Sequence, residues 1–266
     1  MIRDITIGQY YPSNSKLHRL DPRVKIVCTL LYLISLFLFD NIWGYLVATA
    51  FLVFVIRTSK VPFKFIVRGL KPIIMLLMIT VVFNLFLNNQ GKILVQFWVL
   101  KITTVGLKTA VFMAIRLIYL ILGSSLMTFT TTPNALTDGI ESLLKPLEKV
   151  KVPVHEIAMM MSIALRFIPI LLEETDKIMK AQIARGADLE SGNILQKAKA
   201  MVPILVPLFV SAFRRANDLA MAMEARCYRG SDGRTKMKPL VYKKQDFVAY
   251  AVTIVYVIAS VIIGRL

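Results

Sequence analysis

Residues 105–127 read VGLKTAVFMAIRLIYLILGSSLM, an apolar run broken only by the charges of Lys108 and Arg116. At 1.5 Å rise per residue such a helix is about 35 Å long, enough to cross a hydrocarbon core of about 30 Å. The reading of this stretch settles the solvent in which the fold forms, because water does not tolerate an exposed surface of this kind. Four further apolar runs cover 24–39, 43–56, 73–88 and 247–263. Each is shorter than the ~20 residues of a comfortable span, so flanking residues must contribute to the crossing. The sequence predicts five membrane spans, or six if 153–172 enters the bilayer. Residues 93–100 are too short to span and are expected at the interface.

The whole chain agrees with that reading. Of 266 residues, 56% are hydrophobic, and the mean hydropathy is +0.64. Thirty-three basic residues against sixteen acidic ones leave a net charge of +17. In a soluble protein this excess suggests nucleic acid. No aromatic-basic interleaving supports that here, and anionic lipid headgroups and acidic cytosolic partners account for it better. Cys28 and Cys227 are too few and too far apart for a disulfide framework. The polar segment before the first run has no small-residue cleavage site, so no removable leader is expected.

Loop charge orients the spans. The segment up to Lys25 carries five basic residues, and the connector with Arg57, Lys60, Lys64, Arg68 and Lys71 carries five more. The turn between the first two runs carries none, and the loop after the third has only Lys92 and Lys101. The positive-inside rule therefore puts the N-terminus and the 57–72 connector in the cytosol. The C-terminal Leu266 is expected outside. Three regions follow: a transmembrane bundle over 1–127, a cytosolic and interfacial domain over 128–245, and a last span over 246–266. The fold class is all-α, a multi-pass protein of the cell membrane with a cytosolic platform.

Local signals give detail. Asp21 before Pro22 forms a cap-and-proline helix start, and Thr132-Pro133 forms another. The helix after Pro133 carries Leu136, Ile140, Leu143, Leu144 and Leu147 on one stripe, a pattern suited to lying on a membrane surface. Ala212, Ala216 and Ala220, four apart, allow close approach of another helix. Seven of the 13 methionines fall between 159 and 223. Flexible thioethers serve both as core filler and as a surface that accepts several partners.

Catalytic chemistry finds little support. His18 and His155 are the only histidines, no Cys/His cluster has metal-ligand spacing, and no phosphate-binding glycine loop precedes a Lys-Ser/Thr pair. No metal and no cofactor is expected. Arg116, in mid-span, is the exception that invites a functional role, and the sequence names no acidic partner for it.

Two short sites stand out in the back half: Ala184-Arg185-Gly186 and Ala225-Arg226-Cys227. Each ends a helical run that begins near a proline, Pro169 in the first and Pro203 in the second. The proline-to-arginine spacings are 16 and 23 residues. Their difference of seven is close to two helical turns, so the two arginines take nearly the same face. Arginines also suit the negative end of a helix dipole, and spacing alone leaves both explanations open.

Together with Ser15-x-Leu17-His18-x-Leu20-Asp21-Pro22-Arg23-x-Lys25 and Ala164-Leu165-Arg166-Phe167-Ile168-Pro169, the paired sites make this chain resemble the transmembrane (T) component of energy-coupling factor transporters. These are modular ATP-driven importers of vitamins and metal ions. The family motif is Ala-Arg-Gly, twice; the second site departs from it with Cys227. The resemblance implies a non-catalytic subunit that couples two ABC ATPase subunits to a substrate-binding S component. It also implies that the Ala-Arg helix ends dock in grooves on the ATPases. Unequal third residues, Gly186 and Cys227, hint at two different ATPases. The permease of a conventional importer, a membrane-embedded enzyme and a scaffold without ATPases are the rival readings.

Overall fold

In the computed structural model, residues 10–70, 73–87, 93–97, 100–187, 193–230 and 237–265 are described. Nine α-helices run through them: α1 (Pro22–Ser35), α2 (Ile42–Ser59), α3 (Phe63–Arg68), α4 (Ile74–Leu87), α5 (Thr104–Thr130), α6 (Pro133–Leu144), α7 (Val154–Ala184), α8 (Ile194–Ala225) and α9 (Lys244–Arg265). Two departures from α-helix occur among the described residues: a 3-10 helix over Lys145–Val150 and an antiparallel hairpin of β1 (Ile93–Phe97) and β2 (Leu100–Thr103). The hairpin occupies the segment expected to lie at the interface, and pairing its strands satisfies backbone groups that eight residues of helix would leave partly open.

Five helices are long and apolar enough to cross a membrane: α2, α5, α7, α8 and α9. The number matches the sequence expectation, but the membership differs. The helices in the first and third apolar runs, α1 and α4, have 14 residues each, or about 21 Å of helix. Meanwhile α7 and α8, assigned from sequence to the cytosolic side, reach 31 and 32 residues. They do so because their prolines are not starts. Pro169 lies inside α7, and Pro203 and Pro207 lie inside α8. Both helices begin before the proline at which the sequence reading placed them, α7 by about four turns, after Pro153, and α8 by between two and three turns, at a capping box formed by Asn193 and Gln196.

The chain divides into two compact units. One holds Glu141–Lys238; the other holds Gly8–Ile140 and Pro239–Leu266. In the second, α1 packs on α5 and α9, α2 packs on α5 and α9, and α4 packs on α5. Its core is aromatic: the rings of Phe51 and Tyr256 stack at 4.1 Å, and Tyr32 lies within 6 Å of both. The Ser35 hydroxyl and the Tyr256 phenol share a hydrogen bond of 2.9 Å, so the polar tips of this core are matched. Phe39, fully buried, sits where Gly44 of α2 and Gly264 of α9 leave room. A Cβ on either glycine would come within 2.5–2.6 Å of it. Around this core, Trp43, Met75, Phe83 and Val255 are largely exposed, as expected of side chains that face lipid tails instead of water.

A polar knot closes one end of the bundle. Asp21 caps α1 by accepting from the Arg23 amide at 2.9 Å, and takes the Arg23 guanidinium through Nε and Nη2 at 3.0 and 2.9 Å. Burial alone would raise the Asp21 carboxyl, but the Arg23 hydrogen bonds outweigh it and hold the group below the usual carboxylate range. The Asp21 amide donates to Asp246 Oδ1 at 2.9 Å, and the Lys243 amide donates to Asp246 Oδ2 at 2.7 Å. Lys25, also buried, donates to the carbonyls of Thr130 at 2.8 Å and His18 at 3.2 Å. The starts of α1 and α9 are thereby tied to each other, and the start of α1 to the end of α5. Gly139 of α6 lies against Pro22 and Ile26 at the same end.

Asp246 is 1% exposed and accepts from two backbone amides. Its replacement by alanine leaves both unpaired, at about 1–3 kcal/mol each. Asp246→Ala is expected to lower the melting temperature of the detergent-solubilised protein by several degrees, with Asp246→Asn in between. An Asp246→Ala variant that melts with the unaltered protein would remove this role.

Candidate functional site

The site is built on the C-terminal ends of α7 and α8. In each helix the last residue is alanine, Ala184 or Ala225, and the arginine that follows is the cap, with φ/ψ of −86°/3° at Arg185 and −91°/10° at Arg226. The third residue then turns left-handed: φ is +88° at Gly186 and +55° at Cys227. Two hydrogen bonds close each turn. At the first, Gly186 N–H donates to Ile183 O at 2.9 Å and Ala187 N–H to Gln182 O at 3.0 Å. At the second, Cys227 N–H donates to Glu224 O at 2.8 Å and Tyr228 N–H to Met223 O at 3.0 Å. This is the Schellman arrangement, made twice with the same offsets.

The geometry explains the third residue. A left-handed conformation is free for glycine and costs other residues roughly 1–2 kcal/mol. Packing within this chain does not call for glycine there, because a Cβ on Gly186 would have no neighbour within 4 Å. The requirement at Gly186 is the backbone angle. Cys227 meets the same requirement with a Cβ present, so the conformation survives the departure from Ala-Arg-Gly, under strain.

Ala184, Arg185, Gly186, Ala225, Arg226 and Cys227 are all exposed. Among the described residues neither arginine makes an ion pair or side-chain hydrogen bond. The two guanidiniums therefore stand at helix ends with all their donors available. The helices that carry them pack against each other. Glu174 of α7 accepts from Arg215 Nη2 at 2.7 Å and Ser211 Oγ at 2.6 Å on α8. Eight residues on, Gln182 donates to Pro203 O at 3.3 Å, eight residues back from Ser211. The contacts run in opposite senses, so the helices are antiparallel and their C-terminal ends lie at opposite ends of the pair. From the level of Pro203 to Arg226 is roughly 30–35 Å at helical rise.

Arg116 is a separate case. Its Nη2 donates to Asp40, in the turn between α1 and α2, and to the Phe39 carbonyl at 3.2 Å. Its guanidinium carbon also lies 5.5 Å from the Phe37 ring centre. Sequence reasoning found no acid for Arg116 because the partner is 76 positions away. What it missed altogether was Asp246, whose only sequence signal was its place in the first turn of a helix.

If the left-handed angle is the constraint, Gly186→Ala should weaken the end of α7 and Cys227→Gly should strengthen the end of α8, by about 1 kcal/mol each. Hydrogen exchange at the Ala187 and Tyr228 amides reads this directly, as about fivefold less and fivefold more protection. Unchanged exchange in both variants would separate the third residue from the turn.

Comparison with known proteins places these features in a family. A profile described as cobalt transport protein (CbiQ) matches residues 13–237, which include both helix ends and the N-terminal motif. The chain is 57% identical over 263 residues to the energy-coupling factor transporter transmembrane protein EcfT of Clostridium kluyveri, covering 98% of this chain and 97% of that one. It is 55% identical to the protein of that name from Ruminiclostridium cellulolyticum, over 96% of each chain. With that of Bacillus subtilis the identity is 49%, over 92% of this chain and 93% of the relative. Matched over nearly its full length by proteins of one name, this multi-pass membrane chain belongs to the family of energy-coupling factor transporter transmembrane proteins.

Proposed function

We propose that the chain is the coupling subunit of an ATP-driven importer, and that the helix ends at Arg185 and Arg226 each dock on one of two ABC ATPase subunits. The observation that carries the reading is the duplication of one geometry. Two exposed Ala-Arg caps, closed by the same pair of hydrogen bonds, stand at opposite ends of an antiparallel helix pair. A separation of roughly 30–35 Å suits two partner subunits better than one groove. Arginine offers a planar, permanently charged fork, and alanine beside it lets a partner approach the helix end. In this reading the chain hydrolyses nothing; the ATPases do so, and this subunit carries their motion to a substrate-binding S component. The S component selects the vitamin or other micronutrient.

Exposed apolar side chains support a large partner surface. Met160, Met161, Met201 and Met221, together with Phe209 and Phe213, are all at least 40% exposed on α7 and α8. The core-filler reading of the methionines does not describe these four. Flexible apolar groups on an open surface suit interchangeable S components. Cys227 presents a thiol where Gly186 presents none, consistent with two ATPases that differ.

The orientation belongs to the same proposal. In this reading α7 and α8 lie on the cytosolic side instead of crossing the bilayer, so both of their C-terminal ends are cytosolic together with the N-terminus, and the α1–α2 turn and the C-terminus lie outside. In sealed cells a membrane-impermeant thiol reagent is expected to label Asp40→Cys and to miss Met237→Cys. The reverse pattern would invert the topology.

Losing an arginine from a desolvated groove costs roughly 2–5 kcal/mol, much of it from the partner group left unpaired. Arg185→Ala or Arg226→Ala should each reduce co-purification of the ATPases and uptake, and the double variant should abolish both, since avidity is lost with the second contact. Arg→Lys should restore only part, because an ammonium lacks the two-pronged geometry. Membrane expression serves as the control. A double variant that still holds the ATPases and transports normally would refute the coupling role.

A further inference from the structure

Between α1, α2, α5 and α9 lies an open cleft of about 410 Å³. Its walls are largely apolar, with Cys28, Tyr32, Phe51, Val55, Met127 and Val252 among them. Lys16, Thr58 and Gln245 line one end of it and also line a second cavity of about 420 Å³. That second cavity is completed by Asn14, Ser15, Arg19, Arg57 and Lys60. Four of its eight lining residues are cations and none is an acid. Arg19 donates to the Asn14 side chain at 2.9 Å. Among the described residues none of the four makes an ion pair. The Lys25 ammonium also lines the apolar cleft, and its bonds to His18 O and Thr130 O use two of three donors.

An apolar cleft between membrane helices has no reason to hold water, and hydrocarbon is the solvent at hand. Four clustered cations at its mouth need an anion. One molecule class satisfies both conditions at once. We propose that the cleft and its basic mouth form a binding site for one anionic phospholipid, with an acyl chain between α1, α2, α5 and α9 and the phosphate among Lys16, Arg19, Arg57 and Lys60. A zwitterionic lipid brings its own cation into the cluster and is disfavoured there. Free phosphate satisfies the mouth but leaves the cleft unfilled. In the orientation proposed above, the mouth faces the inner leaflet, where polybasic segments attract acidic headgroups. The site involves neither Arg185 nor Arg226 and stands apart from the coupling reading.

The test uses the purified full chain in detergent, offered phosphatidylglycerol or phosphatidylcholine of the same acyl chains, with bound lipid counted by native mass spectrometry. One phosphatidylglycerol is expected to remain bound where phosphatidylcholine is lost. Lys16→Gln/Arg57→Gln/Lys60→Gln should reduce its retention on the order of tenfold or more, since each cation near an anionic surface contributes severalfold in affinity. Ala249→Phe, which fills the cleft without touching the charges, should reduce it as well. Circular dichroism of both variants identifies any that misfold. Cys28 supplies a readout without those variants: in a Cys227→Ser background, phosphatidylglycerol should slow its reaction with a small maleimide, and phosphatidylcholine or inorganic phosphate should not. Equal retention of the two lipids, full retention by the folded triple variant, or equal protection by phosphate alone would overturn the proposal.

Discussion

The membrane bundle depends on a set of buried charges that find each other at one end of it. Asp21, Lys25 and Asp246 satisfy backbone groups at or beside helix ends, and the Arg23 guanidinium pairs with the Asp21 carboxylate. Asp246 accepts from the last amide before its own helix and from the cap residue of α1, so one carboxylate starts two helices. Lys25 supplies the opposite polarity, donating hydrogen bonds to carbonyls at the end of α5 and just before α1. In a medium of low polarity, such bonds are costly to leave unmade, and the helices that supply them are held in one arrangement. The aromatic packing of Tyr32, Phe51 and Tyr256 fills the space that this arrangement defines.

The unit of α7 and α8 is held on different terms. Among its described residues only Val154, Ala158 and Ile204 are buried hydrophobics, a small core for helices of 31 and 32 residues. The ion pair of Glu174 with Arg215 and the bond from Gln182 set the register of the two helices. That register puts their C-terminal ends far apart. A unit with little core and two well-made helix ends suits a part that works only within an assembly.

The two helix ends share one backbone geometry. Gly186 and Cys227 adopt the same left-handed turn and the same two hydrogen bonds, though their intrinsic preferences differ. The backbone geometry is common to Ala184-Arg185-Gly186 and Ala225-Arg226-Cys227, and the cysteine reaches it at some cost. The arginine that precedes it is carried at the cap position, where its own N–H is used by the helix and its side chain is left outward.

Much of this was local enough to be legible in the sequence. Length and hydropathy determined a multi-pass membrane protein. Asp21-Pro22 and Thr132-Pro133 marked helix starts, and the ends of α7 and α8 at Arg185 and Arg226 followed from motif and periodicity. Those features depend on neighbours within a turn or two, which the linear order contains. The extension of α7 and α8 back past Pro169 and Pro203 was not legible, because a proline's missing donor is tolerated or not according to what surrounds it. The hairpin of β1 and β2 depended on two strands meeting. The acid for Arg116 and the two amides for Asp246 lie 76 and up to 225 positions away. Composition and periodicity carry no record of such pairs. Only the folded chain, by bringing the ends of α1, α5 and α9 together, decided them.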